Sequence, residues 1–366
     1  MKSKVSWRRR STAERTCTTF PQKHWSFRIR RSSLTKRTRL LVCALTLGSA
    51  VFLCVVQAAA QNAKARSLPQ PQMIGEGTVS TAGDEFGGSL TADGSEIYFC
   101  RSVPPHYFYT MYVSRFEGGR WSHPEVLPFS GRWRDSDPVL SPDGQQLFFV
   151  SDRTVDGKDT HTFQAYVSRR IQGRGWAEPT LLPPPINQPD RYNIYFISMA
   201  RNANLYFTRF PAAGGGNSEV YVSRFVHGKY ATPENLGGSI NVPGAFTVEA
   251  FIAPDESYLL LGGWRPSGSY GGSDIWISYN QNGEWSEPIN VGPAVNTAAR
   301  EYSPRLTPDG KWLIFTSERG FPTEHHAKPL TYDEIENSIR GTLNGLGNIY
   351  RIDMNSILQS TRPSSP

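Results

Sequence analysis

The body of this sequence is short of cysteine. Of the four cysteines, three lie within the first 54 residues and only Cys100 lies beyond them. A fold stapled by disulfides is therefore excluded for the rest of the chain. Cys100 follows two aromatic residues in an apolar run, which favours a buried apolar side chain over a reactive thiol.

Short catalytic motifs are also absent. The sequence has no G-x-S-x-G, H-E-x-x-H, C-x-x-C or G-x-x-x-x-G-K-[ST] pattern. The usual signatures of serine hydrolases, zinc proteases, dithiol enzymes and nucleotide-binding loops are thus missing. We predict no catalytic residue, no metal ligand and no cofactor from motifs.

Basic charge is scarce outside the N-terminal arm. Residues 1–40 hold 13 lysines and arginines and one acid, whereas the remaining residues hold 26 basic and 31 acidic side chains, a net charge of −5. Nucleic-acid binding needs a basic face on the folded domain, so we expect no nucleic-acid partner.

The N-terminal arm reads as a targeting leader. It runs into 17 uncharged residues from Leu40 to Val56, followed by Ala58-x-Ala60. This order of basic, apolar and small residues predicts a secretory signal over residues 1–60 and a periplasmic or secreted protein. An uncleaved anchor in the inner membrane, formed by residues 40–56, is the alternative, and it would be the protein's one contact with a membrane. Residues 61–71 are predicted to be a linker.

A repeat of about 50 residues fills the body of the chain. Its clearest copy spans residues 301–320, where Asp309-Gly310 separates two apolar runs and predicts a strand, a tight turn and a strand. The second strands begin at Ile97, Leu147, Leu205, Leu259 and Leu313, at spacings of 50, 58, 54 and 54. A third strand follows in each copy, and a fourth begins at Trp121, Trp176, Tyr230 and Trp285. Four short strands per repeat predict an all-β fold, a single β-propeller with one repeat per blade.

The fifth copy lacks a fourth strand of its own. Because an unpaired sheet edge is a liability, we expect residues 72–80 to supply the outer strand of the last blade. The prediction is five four-stranded blades over residues 72–358, with six blades as the alternative. The tail, residues 359–366, is predicted to be disordered.

The repeat resembles a known family. The pattern S-P-D-G-x-x-L-x-F-x-S-[DE]-R, followed by [DEN]-[IV]-[YW] and W-[SA]-x-P, is similar to the PD40 repeat, a WD40-like propeller repeat also found in TolB translocation proteins. The resemblance covers residues 79–354 and departs from the pattern at Asn202 and Glu256, where Asp-Gly turns are replaced. It implies an exported bacterial propeller that works by binding.

Polar residues recur at one face of the predicted ring. This face, which carries the loops from strand 2 to strand 3 and from strand 4 to the next blade, is called the mouth below. The rim residues are the arginines that follow the second strands and the acids that open three first strands: Arg101, Arg153, Arg209, Arg265, Arg319, Glu85, Asp135 and Glu301. They form either a ligand-binding rim for an anionic or sugar ligand or internal ion pairs that hold the blades.

Irregular aromatics add to this candidate site. Tyr107, Phe108 and Tyr109 lie in one mouth loop, and Tyr270 lies in another. We therefore predict a non-catalytic protein that binds a protein partner or a cell-envelope glycan at the mouth. The alternative is a glycoside hydrolase acting through channel carboxylates, for which Glu85, Asp135, Asp137, Glu249 and Glu301 are available.

The fifth 2-to-3 loop, residues 320–347, is much longer than the others. Thr331 and Glu334 form a capping-box pattern, and Ile335 and Ile339 are four residues apart, which predicts one short helix from about Tyr332 to Arg340. A helix of this length is marginal alone, so we expect its isoleucine face to pack. We expect this insertion to cap one side of the mouth; packing on the outer flank is the alternative.

Overall fold

Five antiparallel sheets follow one another along the chain and form a five-bladed β-propeller, as the repeat predicted. The computed structural model describes residues 69–103, 107–171, 175–320 and 325–362. The predicted leader and residues 61–68 of the linker lie outside the described residues, as do residues 363–366 of the tail.

The first two blades have the same construction. Blade 1 consists of β2 (Asp84–Leu90), β3 (Glu96–Val103), β4 (Phe108–Glu117), β5 (Arg120–Trp121) and β6 (Glu125–Val126). Blade 2 consists of β7 (Asp135–Leu140), β8 (Gln146–Ser151), β9 (Gln164–Ile171), β10 (Gly175–Trp176) and β11 (Thr180–Leu181). The fourth strand of each blade is in two short pieces because a proline, which has no N–H to donate, lies between them.

Blades 3 and 4 repeat this order. Blade 3 consists of β12 (Tyr192–Met199), β13 (Leu205–Pro211), β14 (Glu219–Ser223), β15 (Phe225–Val226), β16 (Lys229–Tyr230) and β17 (Glu234–Asn235). Blade 4 consists of β18 (Phe246–Ile252), β19 (Tyr258–Trp264), β20 (Asp274–Gln281), β21 (Glu284–Trp285) and β22 (Ile289–Asn290).

Blade 5 is closed by the N-terminal strand. It consists of β23 (Glu301–Leu306), β24 (Trp312–Ser317), β25 (Asn348–Asp353) and β1 (Gln72–Met73). β1 pairs antiparallel with β25, with Gln72 opposite Arg351 and Met73 opposite Tyr350. Ile74 continues the pairing through its N–H to the Ile349 carbonyl at 2.8 Å. The expected closure is therefore observed, with a shorter strand than the residues 72–80 suggested.

The turns between first and second strands keep one backbone shape even where the sequence changes. Gly310 has a φ of 71°, and Glu256, which stands in place of a glycine in the fourth copy, has a φ of 59°. The carboxylate of Glu256 accepts hydrogen bonds from Asn202, Asn204 and Tyr206 of the preceding blade. These bonds hold a residue with a β-carbon in the left-handed region, where glycine is usually required.

The core lies between the blades. The second-strand residues that marked the repeat are fully buried, among them Ile97, Leu147 and Leu313. The fourth-strand aromatics also pack between blades: Trp176 meets Tyr98 of blade 1 edge-on, with ring centroids 5.6 Å apart. Such aromatic contacts add about 0.5–1.5 kcal/mol beyond their area burial.

The described residues contain two helices, where one was predicted. Helix α1 (Tyr332–Arg340) has the expected bounds and the expected capping box between Thr331 and Glu334. Its isoleucines do not pack as expected: Ile335 and Ile339 are 43% and 53% exposed. That prediction was wrong, and the reciprocal hydrogen bonds of the cap stabilise the helix instead.

Helix α2 (Met354–Thr361) includes the first three residues of the segment 359–366 that was predicted to be disordered, and it corrects the prediction for those three. Asp353 caps it by accepting a hydrogen bond from the Ser356 N–H at 3.0 Å. Ile357 is buried, and the hydroxyls of Tyr279 and Thr361 are 2.7 Å apart. The helix is ordered because one apolar side packs on the propeller core, which a short polar tail does not reveal in sequence.

Candidate functional site

The rim arginines are engaged inside the blades. Arg153 lies 2.9 Å from Asp135 and donates to the Phe129 carbonyl at 2.7 Å. Arg209 donates to the Pro185 carbonyl at 2.6 Å. All five guanidinium groups lie over an aromatic ring of the third strand in their own blade: Arg101 over Tyr112, Arg153 over Tyr166, Arg209 over Tyr221, Arg265 over Trp276 and Arg319 over Tyr350. In blades 2 to 5 the arginine also donates to a carbonyl of the connection that enters the blade, so these groups hold the blades as well as bordering the mouth.

The rim acids are buried partners of these arginines. Glu85 lies 2.8 Å from Arg101 and also accepts hydrogen bonds from the backbone and the hydroxyl of Thr81. Glu301 repeats this arrangement with Thr297. Burial raises the pKa of Glu85 and of Asp135 from their ordinary values, while their arginine partners act in the opposite direction. Their geometry corresponds to the internal ion pairs that the sequence analysis kept as one alternative.

The predicted loop aromatics differ in position. Tyr107 and Tyr270 are 73% and 52% exposed, and neither lines the central depression of the mouth. Tyr109, in the same stretch as Tyr107, lies on the central depression of the mouth. The described residues of the 320–347 insertion contribute nothing to that depression. The insertion instead bonds to the connection leading into blade 1, through Asn344 to the Ala82 carbonyl at 2.9 Å.

Aromatic side chains line this depression. Two adjoining cavities of about 160 and 250 Å³ share Phe86, Tyr109, Asp137, Val248 and Tyr302, and together they are called the mouth cavity. Its walls include an unbroken series of rings, called the aromatic arc: Tyr302, Phe86, Tyr109, Phe163 and Tyr195, with successive centroids 5.8–6.5 Å apart.

Blade 4 completes the ring of aromatic walls. Phe246 and Trp264 face each other across strands β18 and β19 and line the mouth cavity. They are 50% and 40% exposed, so their apolar surfaces are open to a ligand. Aromatic groups from all five blades therefore meet at one concave site.

An arginine closes the centre of the ring beneath the mouth cavity. Arg305 on β23 is fully buried, and its guanidinium lies 2.9 Å from the Asp137 carboxylate on blade 2. It also donates to the carbonyls of Pro138 and Ser303 and lies over the Phe196 ring. First strands bulge here in each blade, and Gly87 leaves room, since a β-carbon there would lie 3.1 Å from the guanidinium. Arg305 therefore links three blades across the axis.

Glu249 is a further ionisable group beside the Arg305 and Asp137 pair. It is 7% exposed and lines the mouth cavity, and its Oε2 atom has no hydrogen-bond partner among the described residues. Desolvation, followed by the nearby Asp137 charge, raises the pKa of Glu249 to about 8. Gly262 makes space for the carboxyl, because a β-carbon there would lie 2.3 Å from Oε2.

Asp137 and Glu249 were predicted from the sequence as possible channel acids, but Arg305 and most of the aromatic arc were not. Two signals were available. Arg305 is a charged residue next to the buried end of a first strand, where the other copies have apolar residues or serine. Gly262-Gly263 replaces side-chain-bearing residues at the end of a second strand, which indicates that something large lies beside it.

The described residues also form depressions outside the mouth cavity. Two larger depressions of about 530 and 620 Å³ lie on the opposite face and are bordered largely by the turns between first and second strands. Within the described part of the chain, no group of three or more His, Cys, Asp or Glu side chains is arranged to hold a metal ion. Neither described helix is long and apolar enough to cross a bilayer.

No protein-family model matches this chain, and no curated protein matches it. Among solved structures, it is similar to TolB from Acinetobacter baumannii, with 14% identity over 74% of this chain and a TM-score of 0.41. It is also similar to a putative TolB from Agrobacterium tumefaciens, with 13% identity over 67% of this chain and 73% of that protein, and a TM-score of 0.41.

An α-L-arabinofuranosidase from Lactobacillus brevis gives a comparable match, with 12% identity, coverage of 76% of this chain and 92% of that protein, and a TM-score of 0.42. The chain spans about half, 54%, of the length of the Acinetobacter TolB. The five-bladed fold itself is established by the strand pairing described above.

Proposed function

We propose that this protein is an exported, non-catalytic propeller that recognises a cell-envelope glycan at the mouth cavity. The main support for this proposal is that aromatic side chains from all five blades meet at one concave site, with the carboxyls of Asp137 and Glu249 beneath them. Ligand sites are commonly concave and aromatic, with a few polar groups that set orientation. A sugar ring offers an apolar face to stack and hydroxyls to pair with such groups.

Phe246 and Trp264 test this proposal because both are exposed and both border the cavity. We expect Trp264→Ala to weaken binding of envelope oligosaccharides at least tenfold, since stacking on an aromatic ring is lost. Tyr332→Ala is the matched control, because Tyr332 is equally an exposed aromatic but lies on helix α1. Binding would be measured by titration calorimetry against oligosaccharide fractions.

Equal binding by wild type and Trp264→Ala would refute the glycan site. A protein partner is the other ligand class that the sequence predicted. Such a partner would be indicated if Trp264→Ala removed an envelope protein from a crosslinked complex while no oligosaccharide bound.

Glycoside hydrolysis is the second candidate function, and one observation favours it. Asp137 and Glu249 border the same cavity in different electrostatic settings. Asp137 is paired with Arg305, whereas burial raises the pKa of Glu249 to about 8, as a general acid requires. Turnover of aryl glycosides that is abolished by both Asp137→Asn and Glu249→Gln would establish hydrolysis; no turnover by the wild type would exclude it for those substrates.

Export rests on the leader sequence. The basic arm, the apolar segment and Ala58-x-Ala60 support a mature chain that begins near Gln61 and lies in the periplasm or outside the cell. Mass spectrometry of the protein recovered from the cell envelope tests this: a mature N-terminus near Gln61 supports cleavage, and a full-length species in the membrane fraction supports the anchor.

A further inference from the structure

Glu249 is a buried carboxyl that has no counter-charge of its own among the described groups around it. The two nearest arginines already have partners: Arg305 lies 2.9 Å from Asp137, and Arg300 lies 3.2 Å from Glu318. Glu249 has no ion-pair partner among the described residues, and its Oε2 accepts no hydrogen bond there. A buried carboxyl without such partners is usually either protonated or paired with a charged ligand group.

The surfaces beside Glu249 suit a positive ligand. Phe246 and Trp264 line the same part of the mouth cavity, and aromatic faces attract cations that lie over them. The Tyr302 ring there already has the Arg300 guanidinium over it, 5.3 Å from its centroid. A protonated amine placed there would meet these ring faces beside the part of the Glu249 side chain that lines the cavity, although Oε2 itself is shielded. A neutral hydroxyl would bring no counter-charge to an ionised Glu249.

We propose that Glu249 is the ion-pair partner for an ammonium group of the ligand, so that the mouth cavity selects a glycan with a free amino group. The proposal rests on the glycan function given above and narrows its ligand class. It assigns to Glu249 the positioning of the amino sugar, while the aromatic side chains hold the sugar ring.

The proposal has a proton-linked consequence. Desolvation and the Asp137 carboxylate raise the pKa of Glu249 to about 8, while Arg305, Arg300 and the Ser303 N–H act in the opposite direction. Glu249 is therefore protonated near pH 7 in the free protein. Forming the ion pair sends that proton to solvent, so binding of an amino sugar releases up to one proton and strengthens as pH rises, until the ligand amine itself deprotonates. A neutral sugar releases no proton.

The test compares a glucosamine trimer with its N-acetylated counterpart, two probes that differ in charge. Binding of each would be measured by calorimetry at pH 7 in buffers of different ionisation enthalpy, which reports proton release. We expect the wild type to favour the amino trimer about tenfold or more, and Glu249→Gln to remove that preference. Tyr332→Ala serves as the control, and circular dichroism checks that each variant is folded.

The outcomes separate this inference from the function on which it rests. Equal binding of both trimers, unaffected by Glu249→Gln, overturns the ammonium site and leaves the glycan site standing. If neither trimer binds but tetramethylammonium does, in a Glu249-dependent manner, the cation site stands and the glycan function fails. No binding of any of these probes overturns both.

Discussion

The pair formed by Arg305 and Asp137 is predicted to be a main stabilising contact of the ring. The arginine side chain is 0% exposed and the aspartate side chain 13%. Arg305→Met keeps the aliphatic stem but leaves the mostly buried Asp137 carboxylate without its counter-charge. It also removes the donors that reach the carbonyls of Pro138 and Ser303. Breaking a buried pair in this way costs about 3–5 kcal/mol, which lowers Tm by roughly 6–10 °C at about 2 °C per kcal/mol for a large domain.

The assay is equilibrium unfolding in guanidinium chloride together with calorimetry, applied to a double-mutant cycle. Asp137→Asn alone leaves the Arg305 charge unpaired and is also destabilising. The double variant removes both charges, so it is expected to lose less than the sum of the single variants, by about 1–3 kcal/mol.

Arg300→Met is the matched control for this cycle. Arg300 is on the segment that leads into the same strand, but its side chain is 52% exposed and its pair with Glu318 is partly solvated. Such a pair contributes about 0–1 kcal/mol. If Arg305→Met costs no more than Arg300→Met, or if the single changes are simply additive, the link across the ring has no special role.

Three further predictions follow from the same structure. Because the pKa of Glu249 is raised, the folded state binds a proton more tightly than the unfolded state, so the free energy of unfolding falls as pH rises from about 4.5 to about 8. In unfolding curves, Glu249→Gln is expected to remove that loss, which is up to about 1.4 kcal/mol per pH unit. Parallel pH profiles of the two proteins would contradict this prediction. Ile74→Ala, in the segment that closes blade 5, is expected to cost about 2–5 kcal/mol because Ile74 is buried, whereas Val126→Ala at an exposed site changes unfolding little; equal effects would argue against closure by this segment. Replacing residues 325–341 by a short Gly-Ser turn should preserve cooperative unfolding and saccharide binding, because the described residues of the insertion do not line the mouth cavity. Loss of saccharide binding would show that the insertion contributes to the binding site.

The candidate site was only partly predictable. Tyr109, Asp137 and Glu249 were all considered from the sequence, because irregular aromatics and acids near first strands are visible without a structure. Their grouping was not, since it depends on where each first strand bulges and which way the side chain then points. The rim arginines, in contrast, were easy to identify in the sequence because they repeat, but the repetition reflects the same internal contacts in each blade.

The sequence by itself determined the architecture of this protein. The spacing of apolar runs, the turn residues, the missing fourth strand of the last repeat and the capping box at Thr331 each act over a few residues, so local patterns were enough to predict blades, closure and helix α1. Only the tertiary structure brought Arg305 to Asp137, which is 168 residues away, and buried Glu249 at a cavity lined by aromatic rings. The physical reason is that ion pairing and the pKa of a buried group depend on distance and solvent exclusion, and the closing of the ring sets both.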